Sequence, residues 1–390
     1  MKSKKTDVDF IDLVSEDEQD EKPMKKRPRL DVKPTPMNEA LKRIDDRNFT
    51  QSHDEPNILR AKSDWSNIKG ILREYGAALI TGVLDKEECL AAIKDADAAF
   101  GHMTDGGIFE DPKKALQERC FLSHGMLSQH HTGHLQASWD IRTNPKVLLT
   151  WEHIYPSAKG KFVVSTDGLS YGLPPEETGL GWHRKNWLHT DQGFTHKEHR
   201  NGVQSWVTAC DVNEGDGTLQ VLVHSHKFHK EFAEKFGLTN HSTDWYKLTE
   251  EQVAWYESKG CYLHNVVCPA GSQVLWDSRT IHAGRSPVKG RSTPNRRLVF
   301  YASYSPLSWM KEGAAKKKIQ LFYALRNTTH NAHAPIVFPM NPRTWGKVFH
   351  PFRELDPPKM NKVGLMLLGF TSSAADDYLI NQGDDYKQLA

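Results

Sequence analysis

Residues 214–223 read Glu214-Gly215-Asp216-Gly217-Thr218-Leu219-Gln220-Val221-Leu222-Val223. Four turn-forming residues open it, and the six that follow read as a short strand, Thr218–Val223. The same texture runs from about 160 to 305. Further strands are predicted over Phe162–Thr166, Val203–Val212, Cys261–Cys268, Gln273–Trp276 and Arg297–Ser303, with Pro269-Ala270-Gly271 as a second turn. Between about 225 and 258, His229, Phe232, Phe236, Trp245 and Trp255 read as a helical insertion. Many short strands with one such insertion predict a mainly β fold with flanking helices (α+β). A double-stranded β-helix, the cupin-like jelly roll, fits that pattern.

Upstream, Ile68, Ile71, Leu72 and Tyr75 fall at helical spacing, and Ala77–Val83 reads as a strand. Asp85 and Glu88 form a capping box for a helix carrying Leu90, Ile93, Ala96 and Phe100 on one face. Downstream, residues 307–326 read as a basic helix with Lys316, Lys317 and Lys318 on a solvated face. A Pro-rich connection then runs to about 370. These segments predict one domain over 56–370, with a polar, frayed tail at 371–390. Residues 1–55 are dominated by Lys, Asp, Glu and Pro and are predicted to be a disordered tail.

Composition bounds the function. With 51 Lys+Arg against 49 Asp+Glu, the formal charge of +2 does not by itself argue for a nucleic-acid partner. The five cysteines include no C-x-x-C pair, so a thiolate zinc site or a disulfide framework is not expected. No apolar run approaches a membrane span, and the charged N-terminus does not read as a signal peptide. An intracellular protein without a membrane partner is predicted, nuclear or otherwise cytoplasmic. The nuclear reading rests on the tail. Val8-Asp9-Phe10-Ile11-Asp12-Leu13-Val14, followed by Ser15-Glu16-Asp17-Glu18, resembles a SUMO-interacting motif. Lys25-Lys26-Arg27-Pro28-Arg29 resembles a nuclear localisation signal, read by an import receptor.

The sharpest chemical signal is Trp187-Leu188-His189-Thr190-Asp191-Gln192. Residues i and i+2 of a strand share a face, so the His189 imidazole and the Asp191 carboxylate can converge on one ion. The third ligand must come from elsewhere, and His282 is the candidate, just beyond Val274-Leu275-Trp276. Two His and one carboxylate leave three positions open, which suits Fe(II), a chelating co-substrate and O2. A two-residue pattern alone is cheap: His196-Lys197-Glu198 and His229-Lys230-Glu231 match it too. His124, His130, His131 and His134 fit no ligand spacing. Gln192 is a candidate for orienting a ligand from behind. Trp182, Trp187 and Trp276 are candidates to shield the site, and Lys185 to reach an anionic group. Arg296 and Arg297 open the strand after His282, and a guanidinium there can hold the free carboxylate of 2-oxoglutarate with two hydrogen bonds. Neighbours on a strand point to opposite faces, so only one faces the pocket. Arg296 is favoured, with Leu298 and Phe300 on its side, and Arg297 is left for a solvated outer face.

Taken together, the motifs resemble the phytanoyl-CoA dioxygenase-like family of Fe(II)/2-oxoglutarate-dependent oxygenases. They are His189-x-Asp191, then Asp216-Gly217-Thr218-Leu219-Gln220-Val221, then Ser225-His226, then Pro269 to Trp276, His282 and Arg296. The Tyr75-Gly76 and Leu84-Asp85 lead-in matches as well, and the resemblance covers about residues 64–305. It implies a double-stranded β-helix, Fe(II), 2-oxoglutarate and O2, and hydroxylation of a substrate with release of succinate and CO2. His224 stands where the family usually has Gly, and the spacing from His282 to Arg296 is longer than usual. Small-molecule, protein and nucleic-acid substrates all stay open. The competing reading is a non-catalytic jelly-roll adaptor in the nucleus that binds SUMO-modified partners.

Overall fold

In the computed structural model the capping box is complete: the Asp85 side chain accepts from the Glu88 N–H, and Glu88 accepts from the Asp85 N–H. It starts an eighteen-residue helix with Cys89, Ala92, Ile93, Ala96, Phe100 and Met103 buried. Leu90, expected on that face, is exposed. The structure describes residues 57–111, 126–179, 187–194, 202–241, 243–291, 293–339 and 353–381, with Phe49, Gln51 and Lys114 in isolation. The chain divides into two units, Met1–Thr35 and Pro36–Ala390, and every described residue lies in the second. The tail motifs at 8–29, and His124, Trp182, Lys185 and the 196–198 triplet, lie outside the described residues.

Thirteen strands are present among the described residues. The first six are β1 (Ala77–Ile80), β2 (Met126–Leu127), β3 (Phe162–Val164), β4 (Leu169–Gly172), β5 (His189–Thr190) and β6 (Val203–Thr208). Then follow β7 (Thr218–Val223), β8 (Tyr246–Lys247), β9 (Tyr262–Asn265), β10 (Gln273–Asp277), β11 (His282–Arg285), β12 (Arg297–Tyr301) and β13 (Tyr304–Pro306). They form a six-stranded sheet in the order β1-β10-β6-β12-β4-β2 and a five-stranded sheet in the order β8-β5-β11-β7-β9, with β13 and β3 as a pair. Every strand pairing is antiparallel. This is a mainly β fold with flanking helices, of the jelly-roll type.

The helices of six or more residues used below are α1 (Ile68–Tyr75), α2 (Lys86–Met103), α3 (Gln136–Thr143), α4 (Pro145–Ile154), α5 (His229–Lys235), α6 (Glu250–Ser258), α7 (Ala314–Tyr323), α8 (Lys362–Leu367) and α9 (Ser372–Asn381). Burial separates three apolar clusters. Leu298 and Phe300 on one face of β12 belong to the large cluster shared with α2, α3, α4 and α8. Val299, on the opposite face, belongs with Trp206, Val221, Val274 and Trp276, which fill the space between the two sheets. The outer face of the smaller sheet is covered by α5 and α6 through Phe232 and Tyr256, with Leu222, Ile281 and Ala283 beneath.

Several expectations change. Strand β4 was not expected; the polar lead-in Thr166-Asp167-Gly168 hides it, and it is made by pairing with β12 (Leu298↔Tyr171, Phe300↔Leu169). Gln51, inside the stretch expected to be tail, donates to Val212 O at 2.8 Å and to Asn213 Oδ1 at 2.6 Å. The tail expected from 371 begins with α9, whose Ala375 is buried. Lys318 is not on a solvated face. It is 2% exposed and donates to Val164 O at 2.6 Å, and burial lowers its pKa to about 7.

Candidate metal centre

Strand β5 delivers His189, Asp191 follows two residues later, and β11 delivers His282. Strands β5 and β11 pair with His282 opposite His189, which puts the imidazoles side by side with ring centroids 4.3 Å apart. The Asp191 carboxylate closes the group. Oδ1 lies 3.6 Å from His189 Nε2, and Oδ2 lies 3.2 Å from His282 Nε2. Among the described residues this is the one His/Cys/Asp/Glu group that can hold a metal ion. The histidines at 130, 131 and 134 form none; His134 instead donates its Nε2–H to Arg326 O at 3.1 Å.

The surroundings prepare these side chains as ligands. His189 donates Nδ1–H to Trp187 O at 3.0 Å, and His282 donates Nδ1–H to Thr280 O at 2.9 Å. Each bond leaves the Nε2 lone pair facing inward, the tautomer a metal needs. Burial, with His282 alongside, pushes the His189 imidazole down to about 3, so it is neutral at physiological pH. Burial alone would raise the Asp191 carboxyl, but the two histidines outweigh it and hold the group well below the usual carboxylate range. Two inward Nε2 atoms and one ionised carboxylate fit a divalent metal, and iron with open positions above all.

Aromatic rings wall the site. Trp187 stacks on His189 at 4.5 Å with its Nε1–H donated to Gly284 O, and Trp276 lies 5.5 Å from the His282 ring. A residue that sequence reasoning missed also contributes. Gln204 on β6 donates Nε2–H to Asp191 Oδ2 at 2.9 Å. It sits opposite Trp276 in the β10–β6 register, and only that long-range register brings it to the site. Gln192, expected in the orienting role, is buried, but no hydrogen bond joins its side chain to a ligand among the described residues.

The arginines are arranged the other way round from expectation. Arg296 is 2% exposed and points to the helical side, where it grips Asp97 of α2 with NH1 at 3.0 Å and NH2 at 2.5 Å and also reaches the Tyr171 hydroxyl. Its strand-mates Leu298 and Phe300 do face the same way, but that side is the large helical core and not the space between the sheets. Arg297 shares the face of Val299. Its guanidinium lies 5.7 Å over the Trp206 ring and donates to Gly217 O at 2.9 Å.

The remaining motifs are braces. Asp216 accepts from Asn213 N at 2.8 Å, from Asn295 Nδ2 at 2.9 Å and from Arg291, so it ties the loop before β12 to the start of β7. Ser225 Oγ accepts from Ile281 N at 2.8 Å, one residue before the distal ligand, and His226 donates Nε2–H to Arg73 O at 2.9 Å. His224 adopts φ +70°, the left-handed conformation a Gly would take there, with Nδ1–H donated to Glu74 O at 2.7 Å.

The sequence model of the phytanoyl-CoA dioxygenase (PhyH) family matches residues 72–288. The chain is 27% identical over 158 residues to Ava biosynthesis cluster protein O of Aspergillus versicolor, a match covering 38% of this chain and 49% of that protein. It thus spans about half the length of that curated relative. Among solved structures it is similar to the hypothetical protein JW0805 from Escherichia coli, with a TM-score of 0.51, 12% identity, and 86% and 90% of the two chains covered. The epimerase SnoN, solved with Fe3+, alpha ketoglutarate and nogalamycin RO, gives a TM-score of 0.38 at 15% identity over 70% and 94% of the chains. At 12% identity the likeness to JW0805 speaks to the fold alone. The family match spans more than half of the chain and includes all three ligands: the chain belongs to the phytanoyl-CoA dioxygenase family, enzymes of the oxygenase type built around iron and 2-oxoglutarate.

Proposed function

We propose that the chain hydroxylates a C–H bond of an organic substrate, consuming one O2 and one 2-oxoglutarate and releasing succinate and CO2. The observation that carries this reading is the convergence of His189, Asp191 and His282 with both Nε2 atoms turned inward. When bound, iron and 2-oxoglutarate supply the oxidising power; the protein supplies position and dryness.

Each residue then has a task. The carbonyls of Trp187 and Thr280 hold the two imidazoles in one tautomer and one orientation. Gln204 fixes the Asp191 carboxylate. Trp187 and Trp276 exclude water from the imidazole faces. Arg297 is assigned to the distal carboxylate of 2-oxoglutarate, because its planar fork lies on the inter-sheet face with donors beyond the one given to Gly217. Arg296 is committed to Asp97 and is assigned a structural role.

Succinate release from 2-oxoglutarate under air with Fe(II) and ascorbate tests the reading. Wild type is expected to turn over slowly even without its substrate, and His189→Ala and Arg297→Ala are expected to abolish the signal. Absence of both succinate and 2-oxoglutarate binding in wild type would move the assignment to the non-catalytic adaptor.

A further inference from the structure

Next to the metal ligands lies a carboxylate that the chemistry above does not use. Asp167 sits in the turn between β3 and β4 and is 6% exposed. Its Oδ1 accepts from the Gly168 N–H at 2.8 Å, and no group among the described residues hydrogen-bonds its other oxygen or pairs with it as an ion. Register places it at the metal end of the barrel. Tyr301 N donates to Gly168 O, and Ala302 N donates to Ser205 O, one residue from the Gln204 that holds Asp191. The two carboxylates are close enough to act on each other electrostatically.

Three further groups face Asp167. Arg142 of α3 is buried behind it as a cationic neighbour; its two terminal nitrogens donate to backbone carbonyls, Asp167 O at 2.7 Å, Gly133 O and Tyr301 O, and its Nε has no hydrogen-bond partner among the described residues. The loop after α7 is fastened alongside through Thr328 N to Thr166 O at 3.0 Å, and His330 follows two residues later. His330 makes no hydrogen bond among the described residues, yet it acts electrostatically on Asp167, Asp191 and His189. The third group is Asp191 itself, which adds negative charge. A largely buried carboxylate with a free acceptor oxygen is unfavourable unless a donor, best a cationic one, arrives to meet it.

Resting on the reading of this chain as an oxygenase, we propose that Asp167 is its specificity-determining residue: it receives an ammonium or guanidinium group of the substrate and holds it beside the carbon to be hydroxylated. A substrate with a carboxylate or phosphate next to the reacting carbon is disfavoured by Asp167 and Asp191 together.

The test uses the full chain with Fe(II) and 2-oxoglutarate under anaerobic conditions, read by the visible charge-transfer band of the chelated iron. The probes are hexylguanidinium, hexanol and hexanoate; a guanidinium stays protonated and so cannot ligate the metal. Hexylguanidinium is expected to perturb the band at a concentration about tenfold or more below hexanol, and hexanoate to be weakest. Asp167→Asn keeps the shape and removes the charge, so it is expected to keep the band and lose the tenfold preference; Asp167→Glu is expected to recover part of it. Equal response to the three probes, no response to the guanidinium, or an unchanged preference in Asp167→Asn would overturn the assignment while leaving the oxygenase reading intact. Failure of the band to form in wild type would instead remove the oxygenase reading, and this assignment with it.

Discussion

Gly76 and Thr280 are in direct contact across the barrel mouth: Thr280 Oγ1 donates to Gly76 O at 2.8 Å, and a Cβ on Gly76 would stand 2.5 Å from that same Oγ1. Gly76 ends α1 with φ +81°, and a Cβ there would also stand 2.5 Å from His226 Nδ1. Thr280 O in turn accepts the Nδ1–H of His282. A helix end is therefore connected to a metal ligand through one intervening residue. Gly76→Ala adds both a strained φ and a clash, and is expected to cost roughly 1–3 kcal/mol of stability. It should also weaken metal binding, because Thr280 must move. Chemical denaturation beside metal titration checks both, and unchanged metal affinity would show that the contact does not reach His282.

Gln204 gives a cleaner test of ligand support. Replacing it with Leu keeps bulk on β6 and removes the hydrogen bond to Asp191 Oδ2. Metal affinity is expected to fall about 10- to 100-fold, with the folded state retained. Gln192→Leu, one residue from Asp191 in sequence, is expected to change affinity far less. Isothermal titration of the two variants with Fe(II) or a redox-inert divalent ion decides between them.

The two adjacent arginines should separate into different phenotypes. Arg297→Lys is expected to raise the concentration of 2-oxoglutarate needed for half-maximal succinate release at least tenfold, with a melting temperature close to wild type. Arg296→Ala strips the partner from Asp97 in a largely buried pair and is expected to destabilise by about 3 kcal/mol. The reverse pattern would return the co-substrate to Arg296.

What could be read from the sequence follows from what is local. His189 and Asp191 were legible because strand periodicity is a short-range rule, and β7 was legible because its turn precedes it directly. The capping box was legible for the same reason. The face of β12 was not. Alternation says that Arg296 and Arg297 diverge, but the direction is set by Asp97, which is 199 residues from Arg296 in the chain. Gln204 escaped notice because its role exists only in the register between β10 and β6. Lys318 escaped because a run of three lysines gives no sign that one of them must turn beneath β3.

That buried lysine makes a pH prediction. Its folded pKa is lowered to about 7 by burial, below the ordinary value of 10.5. Below about 10.5 the unfolded chain therefore binds a proton that the folded chain resists, so stability present above 10.5 is lost as pH falls toward 7. Lys318→Met is expected to be more stable than wild type at neutral pH, with the gap closing as pH rises toward 10.5. Unfolding midpoints across pH 7–10 measure it.

His134 extends the effect into acid. Burial pushes it down to about 3 from an ordinary value of 6.5. Stability is full above 6.5 and falls as pH drops toward 3, with a slope of about 1.4 kcal/mol per pH unit for this one proton. His134→Gln should flatten the metal-free protein's stability profile near pH 5 by about that slope. An unaltered profile would mean that the ring is protonated in the folded state.

The pairing of His282 with His189 has a consequence for when the protein can acquire its metal. The two ligands reach each other only after β11 has docked beside β5, with β6 to β10 lying between them in the chain. A growing polypeptide that has exposed His189 and Asp191 holds two of the three ligands and lacks the one that closes the chelate. Iron capture therefore belongs to the finished barrel. The loaded fraction of newly made protein then reports how many chains have completed the β5–β11 pairing, not how much metal was present during synthesis.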